Sequence, residues 1–358
     1  MTTHLAATST HSDSDSVPGP WMNVAPGSRL LLVASTGGHL TQLAKIAARL
    51  EVSVDSTWVT FDSPQARSLL SRYRDVRYLP YVAPRDARGV LRTARAVARV
   101  ARASRYDAVM STGAGVALSL AAVPKGVRRL YVESVSRVSG PSLTGRLLAR
   151  VPGVERRTQH PGWASKRWPY EFTLLDDYAV VPKQLGARTT GPISVLVTLG
   201  TIQPYRFDAA LEAVKRVLGP DDRVFWQVGV TSGVDLPGDV RESMGRLELH
   251  AMAAQCDVVI SHAGVGTAVD LLELGISPVL LPRRAEHGEH VDDHQLQIGT
   301  MLGDRQLATV RLPEELTRDD LFAAANRLVV SRADLGAETP DSTELELFAM
   351  LEAERGVA

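Results

Sequence analysis

Short apolar segments that run into a glycine turn and then a helix-length stretch recur along this chain, and that unit dictates a layered α/β fold. Arg29-Leu30-Leu31-Leu32-Val33-Ala34 is the first, ending at Ser35-Thr36-Gly37-Gly38 before a helix expected over 41–50. Further strands are expected at 57–61, 76–79, 108–111 and 130–133. The pattern restarts after Gly191-Pro192, with strands at 194–198, 224–228, 258–261 and 278–281. A strand that is apolar throughout is buried on both faces, as in a parallel sheet covered by helices. Two such runs in 358 residues, with a break near 182–192, fit two Rossmann-like domains better than a barrel of eight even repeats.

The expected division is a disordered tail over 1–27, a first domain over 28–185, a second over 191–340, and a helix or tail over 341–358 crossing back to the first. The first 27 residues are rich in Ser, Thr, Asp and Pro and lack the basic-then-apolar order of a signal peptide. No uncharged apolar run reaches the roughly 18 residues of a spanning helix. A single cysteine, Cys256, excludes a disulfide framework and suits a reducing, cytoplasmic interior. The net charge of zero hides an asymmetry. Residues 28–190 carry 26 Lys and Arg against 11 Asp and Glu, and residues 191–358 carry 14 against 27. A basic half beside an acidic half suits different ligands on the two sides of a cleft. The basic half has no aromatic-interleaved patch or base-reading motif, so no nucleic acid is expected.

Candidate chemistry sits where strands end. Gly37, Gly38 and His39 follow the first strand. The glycines allow close approach of a phosphate to free N–H groups at a helix start, and the imidazole suits proton transfer near neutral pH. Gly113 and Gly115 repeat the turn after 108–111. In the second half, Thr198, Gly200 and Thr201 end one strand and Ser261, His262, Ala263, Gly264, Gly266 and Thr267 end another. Asp270 lies one helical turn further on, where a carboxylate can pair with ribose hydroxyls. The polar run Glu289, His290, Asp293, His294 and Gln295 supplies donors and acceptors for a sugar's alcohols. His290 and His294 are four apart but lack the glutamate of a zincin, so no metal is expected. Arg283 and Arg284 suit a uronate carboxylate or a surface salt bridge equally well. Arginines at 85, 88, 92, 95, 99, 102 and 105 form one stripe on a predicted helix. Arg92, Arg95 and Arg99 are its centre, suited to a lipid phosphate or an anionic membrane surface.

Together these motifs resemble a known family. VLVTLGT, CDVVISHAGVGTAVDLLELG and VLLPRRAEHGEHVDDHQ are similar to the carboxyl-terminal domain of glycosyltransferase family 28, which includes MurG-like enzymes. LLVASTGGHLTQL, VMSTGAGVALSL and RLYVESVSRVSGPSLTGRLL resemble the partner subunit of the eukaryotic enzyme that adds the second N-acetylglucosamine to dolichol diphosphate. The chain resembles those two subunits joined, like the bacterial pairs of exopolysaccharide synthesis.

The resemblance implies a GT-B fold and inverting transfer from a UDP-sugar, with no metal or other cofactor, to a polyprenyl-diphosphate-linked sugar acceptor. It also implies peripheral contact with the anionic inner face of the plasma membrane. It assigns 261–267 to the donor loop, Asp270 to the ribose, Asp293 and Gln295 to the donor sugar, and His39 or Glu133 to the base. Leu296 departs from the family's second glutamine, so the donor sugar stays open, as does a homo-oligomer. Alternatives are a UDP-sugar epimerase of the same fold, a transferase acting on a soluble natural product, and a sugar-nucleotide sensor.

Overall fold

In the computed structural model, which describes residues 21–82, 86–183, 186–200, 204–233 and 235–335, consecutive residues of the first strand serve opposite layers. Leu30 and Leu32 of β1 (Leu30–Val33) pack with Leu40, Leu43 and Ile46 of α1 (Gly38–Arg49). Leu31 and Val33 face the other way, against Val97 and Ala101. All four are at most 1% exposed, which is why the strand carries no polar position. Each such leucine contributes about 1.5–3 kcal/mol through burial.

The first sheet adds β2 (Thr57–Phe61), β3 (Asp75–Leu79), β4 (Ala108–Ser111), β5 (Arg128–Val132) and β6 (Val154–Arg157), all parallel, in the order β3-β2-β1-β4-β5-β6. Its helices are α1, α2 (Pro64–Leu69), α3 (Ala87–Ala103) and α4 (Leu143–Leu148). After β7 (Tyr178–Pro182) the second sheet repeats this plan. Its strands β8 (Ser194–Thr198), β9 (Arg223–Gln227), β10 (Asp239–Arg241), β11 (Val258–His262), β12 (Val279–Leu281) and β13 (Thr309–Val310) run in the order β10-β9-β8-β11-β12-β13. Around it stand α5 (Asp208–Val217), α6 (Arg246–Gln255), α7 (Val265–Glu273), α8 (His294–Asp304) and α9 (Arg318–Ala325). Strand order reverses between β1 and β4 in one sheet and between β8 and β11 in the other. Those reversal points open the ligand crevices of doubly wound sheets.

Three expectations change. The helix after β1 begins at Gly38, not 41, so His39 lies inside its first turn. Gly115 opens a 3-10 segment, Gly115–Ala122, instead of an α-helix. The end of the expected tail is ordered: Met22 and Val24 are 2% and 5% exposed and join the first core. Glu171 accepts from the Met22 N–H at 2.7 Å, and Arg128 donates to the carbonyls of Met22 and Asn23. Residues 1–20, Arg85 and the expected 341–358 crossing lie outside the described residues.

The expected 185/191 division separates β7 from the second domain, yet β7 pairs antiparallel with β14 (Arg327–Ser331). Leu175 and Tyr178 pack with Val135 of the first domain and with Ala268 and Leu272 of α7 in one apolar cluster. Lys45 on α1 donates to the Tyr178 hydroxyl at 2.9 Å and pairs with Glu273 at the end of α7.

If the 21–24 segment is part of the core, Met22→Ala will destabilise the protein by about 2–5 kcal/mol in urea unfolding. A loose tail would give no change.

Candidate functional site

The two domains meet at helix starts. Gly38 begins α1 and Gly266 lies in the first turn of α7. A methyl at Gly266 would sit 3.0 Å from Gly38 Cα and 3.1 Å from its nitrogen. Neither α1, nor α7, nor α8 has a side-chain cap. The first N–H groups of α1 and α7 therefore remain open to a ligand, with the positive ends of the helix dipoles behind them, whereas the His294 N–H that starts α8 donates to Asp292. Beside this contact lies a cavity of about 970 Å³ that both domains line. The first supplies Gly37, Gly38, His39, Gly113, Glu133, Ser134 and Arg137. The second supplies Gly200, His262, Gly264, Gly266, Thr267, Asp270, His290, His294 and Gln295.

Each crevice holds a histidine against a glycine, with the sides exchanged. His39 follows β1 and lies against Gly113 after β4, where an added methyl would meet its Cε1 at 2.7 Å. His262 ends β11 and lies against Gly200 after β8, again at 2.7 Å. Both glycines have positive φ, 118° and 74°. His39 Nδ1 lies 2.9 Å from the Thr112 carbonyl, and the Thr112 hydroxyl donates back to the His39 carbonyl at 2.7 Å. A carbonyl only accepts, so Nδ1 carries the proton and Nε2 keeps its lone pair. Burial disfavours the imidazolium, Arg137 and His294 add positive charge nearby, and the His39 pKa falls to about 4. His262 falls further, to about 3, from burial and then the Arg283 charge.

Glu133 is 1% exposed, and its two oxygens accept from the Tyr131 hydroxyl, the Ser134 N–H, and the N–H and hydroxyl of Ser142. Burial raises its pKa against those bonds. Four donors occupy the carboxylate, so it fixes the 134–142 loop. Between these two groups, His39 keeps an Nε2 with no hydrogen-bond partner among the described residues.

In the second domain, Arg246 donates to both oxygens of Asp270, at 3.1 and 3.2 Å, and His250 lies 3.8 Å away. Although burial opposes it, these partners lower the Asp270 pKa and keep it an ionised acceptor. Neither Arg246 nor His250 was singled out from sequence, because nothing in α6 marks a partner that lies in another helix.

Several expected ligands do not line the cavity. Glu289 is 7% exposed and accepts from the Arg284 N–H at 2.9 Å. Asp293 accepts from the Ala285 N–H at 2.8 Å and shapes the turn before α8. Thr198 accepts from Gln227 at 3.0 Å, the Ser261 hydroxyl donates to the His262 carbonyl, and Ala263 is fully buried. Gly115 does not line the cavity. Thr201 lies outside the described residues. Arg92, Arg95 and Arg99 are exposed along the outer face of α3, away from the cavity. Arg283 does not reach out for a uronate. It is 1% exposed and donates to the carbonyls of Leu199, Tyr205 and Glu289. Arg284 pairs with Glu314 and Glu286.

His290, Asp292 and His294 bring their ligand atoms within 4.8 Å of one another. His294 bonds Asp292 through Nδ1, His290 stacks on Tyr205 with centroids 5.8 Å apart, and Asp292 also pairs with Arg137 across the cleft. Asp292 thus ties His294 to Arg137, while the buried His290 Nδ1 has no hydrogen-bond partner among the described residues and lies 3.7 Å from the Asp292 carboxylate.

The two-sheet architecture, with its crevices facing one cavity, is that of a GT-B glycosyltransferase. A spinosyn forosaminyltransferase structure matches with a TM-score of 0.50 and 18% identity, over 83% of this chain and 89% of that one. Residues 246–335 match the glycosyltransferase family 28 C-terminal domain, so the chain is a glycosyltransferase carrying that domain. A UDP-N-acetylglucosamine--N-acetylmuramyl-(pentapeptide) pyrophosphoryl-undecaprenol N-acetylglucosamine transferase of Xylella fastidiosa is 26% identical, over 90% of this chain and 95% of its own length. The enzyme of the same name from Xanthomonas oryzae is also 26% identical, over 88% and 77%.

Two outcomes follow from this geometry. Gly266→Ala favours the α7 helix by up to about 1 kcal/mol, so its cost falls on the domain contact. The contact must open by a few tenths of an ångström, and sugar transfer by the purified variant will fall by as much as about a hundredfold while its urea unfolding midpoint stays near that of the wild type. Folded His39 and His262 bind fewer protons than the unfolded chain between pH 6.5 and their lowered pKa values, so acid favours unfolding there. Stability will fall from pH 6.5 towards 4 in urea titrations, and His39→Gln will reduce that fall.

Proposed function

We propose that this enzyme moves a sugar from a UDP-sugar to a hydroxyl of a polyprenyl-diphosphate-linked acceptor. The transfer inverts the anomeric carbon, needs no metal, and serves exopolysaccharide or other cell-surface glycan synthesis. The observation that carries this reading is the meeting of two uncapped helix starts, one from each domain, beside a histidine with a free Nε2. The acceptor oxygen forms its bond to the anomeric carbon as the bond to UDP breaks on the opposite face. His39 Nε2 takes the hydroxyl proton, and UDP leaves with the bonding electron pair. The N–H groups of Val265, Gly266 and Thr267, with the α7 dipole, meet the charge that develops on the leaving diphosphate. The negative charge of bound diphosphates raises the His39 pKa from about 4 towards neutrality, where a general base works best.

Asp270 accepts from the ribose hydroxyls, and His290, His294 and Gln295 face the donor sugar. Gly37, Gly38 and Gly113 line the acceptor side. The names of the Xylella and Xanthomonas relatives support a UDP-sugar donor and a lipid diphosphate acceptor. No helix among the described residues is long and apolar enough to cross a membrane. The outer face of α3 offers exposed arginines. Leu91, Leu143 and Tyr81 are 50%, 65% and 66% exposed, and the last two also line the cavity. The exposed arginines of α3 and these exposed apolar side chains support peripheral docking on an anionic bilayer at the cytoplasmic face.

A panel of UDP-sugars incubated with purified enzyme and membrane lipid extract, read by mass spectrometry, will show one sugar added to a prenyl-diphosphate glycolipid. His39→Ala will lower turnover about 100- to 10,000-fold with UDP affinity unchanged. Epimerised UDP-sugar with no transfer, or full turnover by the variant, defeats the scheme.

A further inference from the structure

Arg137 stands on the loop after β5, and its side chain crosses the cleft. Its Nη1 donates to Asp292 Oδ2 of the second domain at 3.2 Å. Lys45–Glu273, Arg49–Asp177 and Arg305–Asp176 are further ion pairs, but among these four cations only Arg137 lines the cavity. The Arg137 and Asp292 side chains are 34% and 40% exposed, so water competes with the pair and the contact holds the domains together only weakly.

The two partners are not equally committed. Asp292 Oδ1 holds the ring and the N–H of His294, and His290 lies 3.7 Å away, so this carboxylate stays satisfied when Arg137 leaves. Arg137 has a fixed backbone: its N–H donates to the Ser134 carbonyl at 2.9 Å, and its carbonyl accepts from Trp163 Nε1 at 2.9 Å. Its side chain bonds only Asp292 among the described residues. The other arginine of the cavity, Arg246, is held through Nε and Nη2 by the two oxygens of Asp270. Arg137 is thus the cavity cation that can exchange partners, and it acts directly on His39 through its charge.

We propose that Arg137 reads an anionic group of the bound substrates. A phosphate or carboxylate displaces Asp292 and takes the guanidinium in a two-oxygen grip beside His39. The inference rests on the transfer reaction proposed above for its setting. The same chemistry has two sources: the acceptor's diphosphate, or the carboxylate of a uronate donor. In either case the incoming anion replaces a contact between domains with a contact to substrate.

Calorimetry on the whole protein separates the sources. Inorganic pyrophosphate is titrated in the presence of saturating UDP, and UDP-glucuronate is compared with UDP-glucose. If the acceptor is the source, Arg137→Gln will weaken pyrophosphate binding about 10- to 100-fold. Asp292→Asn, which removes the competitor, will tighten it. If the donor is the source, Arg137→Gln will instead abolish a preference for UDP-glucuronate over UDP-glucose. Unfolding midpoints matching the wild type establish that each variant is folded. The proposal is overturned if Arg137→Gln leaves both measurements unchanged. These titrations require no turnover, so they are independent of the wild-type transfer assay on which the proposed reaction stands.

Discussion

Gly38 and Gly266 allow two helix starts to touch with no side chain between them, and the site depends on that contact. An α-helix leaves its first N–H groups without partners, and two such ends are ordinarily kept apart or capped. Here α1 and α7 bring them to one cavity uncapped, at the reversal points of both sheets. Their dipoles would repel across an empty gap. The apolar cluster of Val135, Leu175, Tyr178, Ala268 and Leu272, with the Lys45–Glu273 pair, opposes that repulsion from behind. The unmet positive potential is what an anionic substrate relieves on arrival.

Positive charge in the cavity is rationed by burial. His39, His262 and His290 all have lowered pKa values, to about 4, 3 and 4, and remain neutral acceptors or donors near pH 7. Arg283 keeps its charge, though burial lowers its pKa to about 10, and satisfies it on main-chain carbonyls below the wall. It braces the turn that carries Gly200 and leaves substrate contact to other groups.

The central strands were readable because a strand covered on both faces is built mainly of apolar residues, as Leu30–Val33, Val195–Val197 and Val258–Ile260 are. The glycine turns were readable for a similar reason, since a strand that feeds a helix at a ligand crevice needs room for the backbone. β6 escaped notice because Val154–Arg157 carries Glu and two Arg and is apolar only at its first residue. The order of Met22 and Val24 was missed because this short apolar stretch follows a run rich in Ser, Thr and Asp, and its anchoring depends on Arg128 and Glu171, far away in sequence. Asp293 and Glu289 have the composition of sugar ligands, yet each gives one carboxylate oxygen to an N–H of the same loop and lines no part of the cavity. Which polar residue turns towards a cavity depends on local hydrogen bonds, and composition does not encode that choice. Arg137 and Asp292 are 155 positions apart, and no local pattern announces a pair that forms only when two domains close.

The exchanged histidine and glycine positions have an evolutionary corollary. His39 with Gly113, and His262 with Gly200, are each a single steric unit shared by two crossover segments. A homologue that gains a side chain at position 113 must shrink or lose the ring at 39, and the same bond joins 200 to 262. Drift at the four positions is therefore confined to paired steps, one pair per domain, and the two halves can diverge in ligand while each keeps its own ring-and-gap register.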